Sequence, residues 1–279
     1  MKQEEIEGIE IQLLLEALRL RYGYDFRSYT RSSLNRRILH CLSICDFKYI
    51  SEIIPRLLHE GMFLNRLIST LTVTVSSMFR DPDVFKALRE KVIPILKTYP
   101  FINIWHAGCA TGEEVYSMAI LLKEVGLYDR AQFYATDMDE ESLKKATDGN
   151  FPIEKLEEFS KNYQLAGGKK NFLDYVRIQG NVLQIDPALK KNVMFANHNL
   201  AGDGVFAEMH LILCRNVLIY FDATLQEKVI QLFSDSLARG GFLCLGSNET
   251  LEFTKLHDQF TPVIKKYRIC RKIISTKMH

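Results

Sequence analysis

With 279 residues, 47% hydrophobic and 25% charged, the chain can bury a sizeable core in one large domain or two modest ones. A formal charge of +2 excludes a polyelectrolyte binder of nucleic acid, so any basic surface must be local. No run of about 18 apolar residues occurs, and Met1-Lys2-Gln3-Glu4-Glu5 has no signal-type apolar stretch, so a cytoplasmic chain without membrane insertion is expected.

Residues 1–85 read as a helical domain with its linker. Ile6, Ile9, Leu13, Leu14, Ala17, Leu18 and Leu20 recur at helical spacing until Tyr22-Gly23-Tyr24-Asp25 breaks the run, and further helices are predicted over 32–44 and 49–58. From about residue 100 the rhythm changes to an α/β domain, taken as 86–279. Short apolar strands at 101–105, 132–137, 193–196, 211–214 and 242–245 alternate with helices at 113–125, 140–147 and 223–237, the last closed by Gly240-Gly241. That alternation predicts a doubly wound, mostly parallel sheet. Residues 158–192 are too many for a plain crossover and carry the hairpin signal Gly180-Asn181, which predicts a small antiparallel β insertion. Residues 260–274 read as a final hairpin with Val263, Tyr267 and Ile269 alternating. The six cysteines are scattered, four of them in apolar runs, as suits reduced thiols. Cys41 and Cys45 beside His40 fall short of the four ligands of a structural zinc site, and no metal is expected.

Ligands of open α/β sheets bind beyond the carboxyl ends of the strands, near the switch in strand order. Ala107-Gly108-Cys109-Ala110-Thr111-Gly112-Glu113-Glu114 offers a small-residue turn opening a helix, although it is neither a full Gly-x-Gly-x-x-Gly nor a P-loop. Asp137 ends the next strand at the distance expected of a ribose-binding acid, and the competing reading is a helix cap, for which Asp139 is better placed. Together they favour an adenosine cofactor without separating a nicotinamide enzyme from a methyltransferase.

The third segment, Cys214-Arg215-Asn216-Val217-Leu218-Ile219-Tyr220-Phe221, narrows the choice. With Asn199-Leu200, Gly112-Glu113-Glu114 and Thr72-Val73-Thr74-Val75-Ser76-Ser77-Met78-Phe79-Arg80, it resembles the bacterial chemotaxis receptor methyltransferase family, CheR, from Thr72 to Ser247 in the same order. The resemblance implies a sheet of the S-adenosylmethionine (SAM)-dependent methyltransferase type over 86–279. It implies methyl transfer from SAM to glutamate carboxylates on the cytoplasmic helices of chemoreceptors, with S-adenosylhomocysteine (SAH) as product. Residue by residue it implies that Glu114 and Asp137 bind the cofactor and that Asn199 and Leu200 border the adenine. Arg215 and Asn216 would lie near the methionine end, Arg80 and Tyr220 would be catalytic beside the transferred methyl, and Thr74, Ser76 and Arg80 would also bind the cofactor. The family often has Asn where this chain has Thr74, Thr at Ser76 and an aromatic at Met78, so Thr74 keeps no amide donor while Ser76 keeps its hydroxyl. Two other functions fit the same residues: a non-catalytic SAM-binding adaptor, and a carboxyl methyltransferase acting on a different protein.

The chemistry is consistent with the residue types. A glutamate of pKa about 4.3 is already an anion at neutral pH, so alignment and water exclusion matter more than a general base. Arg31, Arg36 and Arg37, with Arg27 and Lys48 nearby, offer a local basic face for an acidic receptor bundle, or an ordinary solvated helix face. Nucleic acid is not an expected partner, since no stacking aromatics accompany these residues. Gly167-Gly168-Lys169-Lys170 makes the insertion extended, and tethering of a receptor C-terminal peptide is not expected there.

Overall fold

The computed structural model describes residues 2–273. Helix α1 (Gln3–Tyr22) buries Leu14, Leu15 and Leu18 and ends at Gly23, whose φ of 80° is left-handed. Helix α2 (Arg31–Cys45) buries Leu34, Ile38 and Cys41, one face at helical spacing. The predicted helix over 49–58 divides into a 3-10 turn (Ile50–Glu52) and α3 (Ile53–His59), and α4 (Gly61–Leu71), not separately predicted, completes the bundle. Leu14, Leu18, Ile38, Ile53, Leu57 and Leu67 form its sealed core. Among the described residues no helix is long and apolar enough to cross a membrane.

An irregular linker leads to α5 (Pro82–Ala87), a π-helical turn (Leu88–Val92) and α6 (Ile93–Leu96). The linker is anchored rather than loose. Met78 and Phe79 are fully buried in the α/β core, and Phe79 N donates to Ser117 Oγ at 2.8 Å.

Then follow β1 (Ile102–Ala107), α7 (Glu113–Glu124), β2 (Ala131–Asp137), α8 (Glu140–Asp148) and β3 (Asn150–Pro152). After them come α9 (Leu156–Leu165), β4 (Val176–Gln179), β5 (Val182–Ile185), β6 (Val193–Asn197), β7 (Met209–Cys214) and α10 (Ala223–Ser236). Strands β8 (Leu237–Leu245), β9 (Phe260–Ile264) and β10 (Ile269–Lys272) end the described chain. The main sheet runs β6-β2-β1-β7-β8-β10-β9 and is parallel except for β10, which runs antiparallel to both of its neighbours, β8 and β9. From β1 the chain builds outward to β2 and β6, then returns to β7 on the other side. The carboxyl ends of β1, β2 and β7 therefore flank the crevice where such sheets bind ligands.

Two readings are amended. The small antiparallel sheet, ordered β3-β5-β4, takes a strand from Asn150–Pro152 ahead of the span read as the insertion, and α9 runs into that span. Helix α10 stops at Ser236, and Gly240-Gly241 lies inside β8 instead of closing the helix. The register with β7 slips there, and a Cβ on Gly241 would stand 3.0 Å from Ala238 O and 3.2 Å from Met209 O, so the pair permits a close backbone approach. Of the predicted final hairpin, Ile274 lies outside the described residues.

Candidate active site

The turn after β1 is built on three left-handed positions, Gly108 (φ 77°), Ala110 (φ 46°) and Gly112 (φ 90°). A Cβ on Gly108 would meet Val217 Cγ2 at 2.5 Å, so only glycine lets this turn close on the segment after β7. Gly108 N and Cys109 N both donate to Thr136 O, at 2.8 and 2.9 Å. Ala110 N donates to one Asp137 carboxylate oxygen at 2.9 Å and Asp139 N to the other at 3.0 Å. Asp137 thus ties the ends of β1 and β2 together. It is not the cap of α8; Asp139 is, accepting from Glu141 N at 3.1 Å and Ser142 Oγ at 2.7 Å. Burial raises the Asp137 carboxyl above its ordinary range against the pull of the two amides.

Glu114, on the first turn of α7, is held from two sides. His106 Nδ1 lies 3.0 Å from Oε1, and Arg215 Nη1 donates to Oε2 at 2.9 Å. Burial pushes its carboxyl up, but the His106 hydrogen bond and the Arg215 charge outweigh it and hold it below the usual range. Arg215 is itself buried, and its Nη2 donates to Asp81 Oδ2 at 2.6 Å and Arg80 O at 3.2 Å. Its guanidinium is therefore spent on Glu114 and on the turn that carries Arg80, across one ion-paired chain.

Asn216 adopts φ 62°, unfavourable for a residue with a Cβ, and the turn is held by a carboxylate from outside it. Buried Glu249 accepts from Gly246 N (2.6 Å), Val217 N (2.8 Å), Asn216 N (3.2 Å) and Ile219 N (3.4 Å). Burial still raises its carboxyl above the ordinary value. The next residues dock on the helical domain: Thr30 N donates to Tyr220 O and Asp222 N to Ser28 O, both at 2.8 Å.

The linker supplies the opposite wall. Ser77 Oγ donates to Glu158 Oε1 at 2.5 Å, and Asn162 Nδ2 donates to Met78 O at 3.1 Å. Among the described residues Arg80 has no carboxylate partner, and its guanidinium makes a single long hydrogen bond, 3.4 Å to Val75 O. On the far side Asn199 Oδ1 accepts from Ala201 N at 3.0 Å, which leaves its amide hydrogens unspent within that turn. Leu200 is buried beside it.

All ten residues singled out in the sequence (Thr74, Ser76, Arg80, Glu114, Asp137, Asn199, Leu200, Arg215, Asn216 and Tyr220) line one cleft, together with Tyr29, Met138 and His198. The residues that brace it, His106, Asp81 and Glu249, were not predicted. Glu249 follows a buried strand of the parallel sheet, and that position was its one visible signal; His106 sits unremarked inside an apolar strand. Arg31 and Arg36 are exposed, but Arg37 Nη1 donates to Thr70 O at 3.2 Å and Thr72 O at 2.7 Å and fastens the linker to α2.

A mostly parallel sheet of this order, with a glycine turn after β1, an acid ending β2 and a cleft at the strand switch, defines a nucleotide-cofactor α/β enzyme. Residues 74–268 match the CheR methyltransferase SAM binding domain, and residues 9–72 match the all-alpha domain of the same family. The chain belongs to the CheR methyltransferase family, and SAM is its cofactor. It is 49% identical over 274 residues to Cher3 of Pseudomonas putida, covering 98% of this chain and 100% of that one. It is 32% identical to the chemotaxis protein methyltransferase of Listeria innocua, over 82% of this chain and 85% of that one. For the chemotaxis protein methyltransferase of Escherichia coli the identity is 29%, over 86% and 83%. Among solved structures, the N-methyltransferase NodS of Bradyrhizobium japonicum in complex with SAH aligns at a TM-score of 0.40 and 16% identity, over 71% of this chain and 89% of that one.

Proposed function

We propose that this protein methylates glutamate side chains on the cytoplasmic helices of chemoreceptors, forming methyl esters. The observation that carries the reading is Arg80: a guanidinium without a carboxylate partner, in the cleft that also contains Glu114, Asp137 and Tyr220. The Listeria and Escherichia relatives are named chemotaxis protein methyltransferases, which supports a role in chemotaxis.

The donor set fits the cofactor. Asp137 has lone pairs for the two ribose hydroxyls, Asn199 and Leu200 would border the adenine, and Glu114 with Asn216 would take the amino acid end. Thr74 and Ser76 would close the wall from the linker, Thr74 through a hydroxyl alone. Arg215 would act through Glu114 and the Arg80 turn, which it already grips. When bound, SAM supplies an activated methyl on a sulfonium. Arg80 then holds the incoming glutamate through paired hydrogen bonds, and Tyr220 orients an acceptor oxygen with its hydroxyl. These contacts position the nucleophile without neutralising it, and no side chain needs to remove a proton. The exposed pair Arg31 and Arg36 on α2, whose Ser33 and Leu34 reach the cleft, suits an acidic receptor helix. Such an enzyme works in the cytoplasm.

Incubating the protein with methyl-labelled SAM and a receptor cytoplasmic fragment should give label on the fragment that mild base releases as methanol. Because the acceptor has a pKa of about 4.3, log kcat/KM should stay flat from about pH 6 to 8.5. Base-stable label, or a unit slope through neutrality, would contradict carboxylate methylation without a base. SAH binding with no transfer to any receptor fragment would favour an adaptor.

A further inference from the structure

Tyr29 precedes α2 and so belongs to the helical bundle, yet it lines the cleft. Its backbone pairs antiparallel with Phe221, and the flanking hydrogen bonds from Thr30 N to Tyr220 O and from Asp222 N to Ser28 O fix the bridge. Its ring is wedged between Phe26, at 4.8 Å between centroids, and the edge of Phe221, at 4.9 Å. Neither backbone nor ring is free to turn away.

Tyr29 is half-buried, and the hydrogen-bond partner of its hydroxyl is Met138 Sδ at 3.5 Å. A thioether is a weak acceptor, so this donor, facing the cleft, is largely unsatisfied. Met138 follows Asp137 directly, and Tyr29, Asp137 and Met138 line the same cleft; burial first, then the Asp137 charge, raises the phenol above its ordinary range. The two groups complement one another. Asp137 only accepts, so it can take ribose O–H protons but leaves the ribose oxygens without a donor. Tyr29 has a donor to give.

We propose that Tyr29 is a cofactor-binding residue contributed by the helical domain, its hydroxyl donating to a ribose hydroxyl oxygen that Asp137 holds from the other side. This rests on the reading of the cleft as the SAM site with Asp137 at the ribose. One molecule of cofactor would then span both domains at the bridge that carries Tyr220.

The test is calorimetric titration of the full chain with SAH and with its 2′-deoxy and 3′-deoxy analogues, using wild type and Tyr29→Phe. Phenylalanine keeps the ring packing, so the thermal midpoint should not move. SAH affinity should fall about tenfold in Tyr29→Phe, as for one hydrogen bond in an enclosed site. That loss should vanish with whichever deoxy analogue lacks the partner oxygen, a non-additive cycle that a merely structural role would not produce. Unchanged SAH affinity in Tyr29→Phe, or a tenfold loss that persists with both analogues, overturns the Tyr29 assignment alone. Failure of wild type to bind SAH removes the SAM-cleft reading itself, and the proposal with it.

Discussion

Arg80→Ala lowers kcat/KM for receptor methylation about a hundredfold, or about 2.7 kcal/mol of transition-state stabilisation, while the fold and SAH binding change little. The two cationic side chains at the cleft explain why Arg80 is the sensitive one. Both terminal nitrogens of Arg215 are committed, to Glu114 and to Asp81, and its remaining Nε is buried. The Arg80 guanidinium gives up one 3.4 Å hydrogen bond at most, so removing it leaves no buried charge without its counterion. Its loss falls on positioning of the incoming carboxylate. Arg80→Lys keeps the charge but not the planar fork and should recover only part of the rate. A loss of the same size in SAH affinity would instead make Arg80 a cofactor ligand first.

Glu249→Ala destabilises the protein by about 3 kcal/mol, measured by denaturant unfolding, and lowers methyl transfer with it. Deleting this carboxylate strips the acceptor from four backbone amides, each costing about 1–3 kcal/mol if left buried and unpaired, and water entering the space offsets part of the sum. The same amides hold Asn216 in its left-handed conformation, so the turn that delivers Tyr220 loses its brace. Glu249→Gln keeps one acceptor oxygen and should lose roughly half as much. A Glu249→Ala protein of wild-type stability and rate would mean that the turn is held by its own local preferences.

The sequence conveyed the fold where burial has a period. Strands β1, β2, β6, β7 and β8 were visible as apolar runs, and Gly180-Asn181, with φ 57° at Gly180, marked the hairpin between β4 and β5. It failed at Gly240-Gly241, because a glycine pair that ends a helix and one that lets two strands approach look alike without the neighbour in view. In the site, residues attached to recognisable turns were legible, and all ten share one cleft. The braces were not. Glu249 reaches the Asn216–Ile219 amides from 30 or more residues away, and His106 supports Glu114 from within an apolar strand. The linker contacts of Arg37 were hidden for the same reason. A cation on a helix counts as surface until carbonyls such as those of Thr70 and Thr72 are found within its reach.

A crystal structure of the full chain with SAH tests the central claim most directly. The account predicts ligand density in the cleft, the ribose at Asp137, the adenine beside Asn199 and Leu200, and the sulfur facing Arg80 and Tyr220. An empty cleft at saturating SAH, or ligand bound away from Asp137 and Glu114, would contradict it.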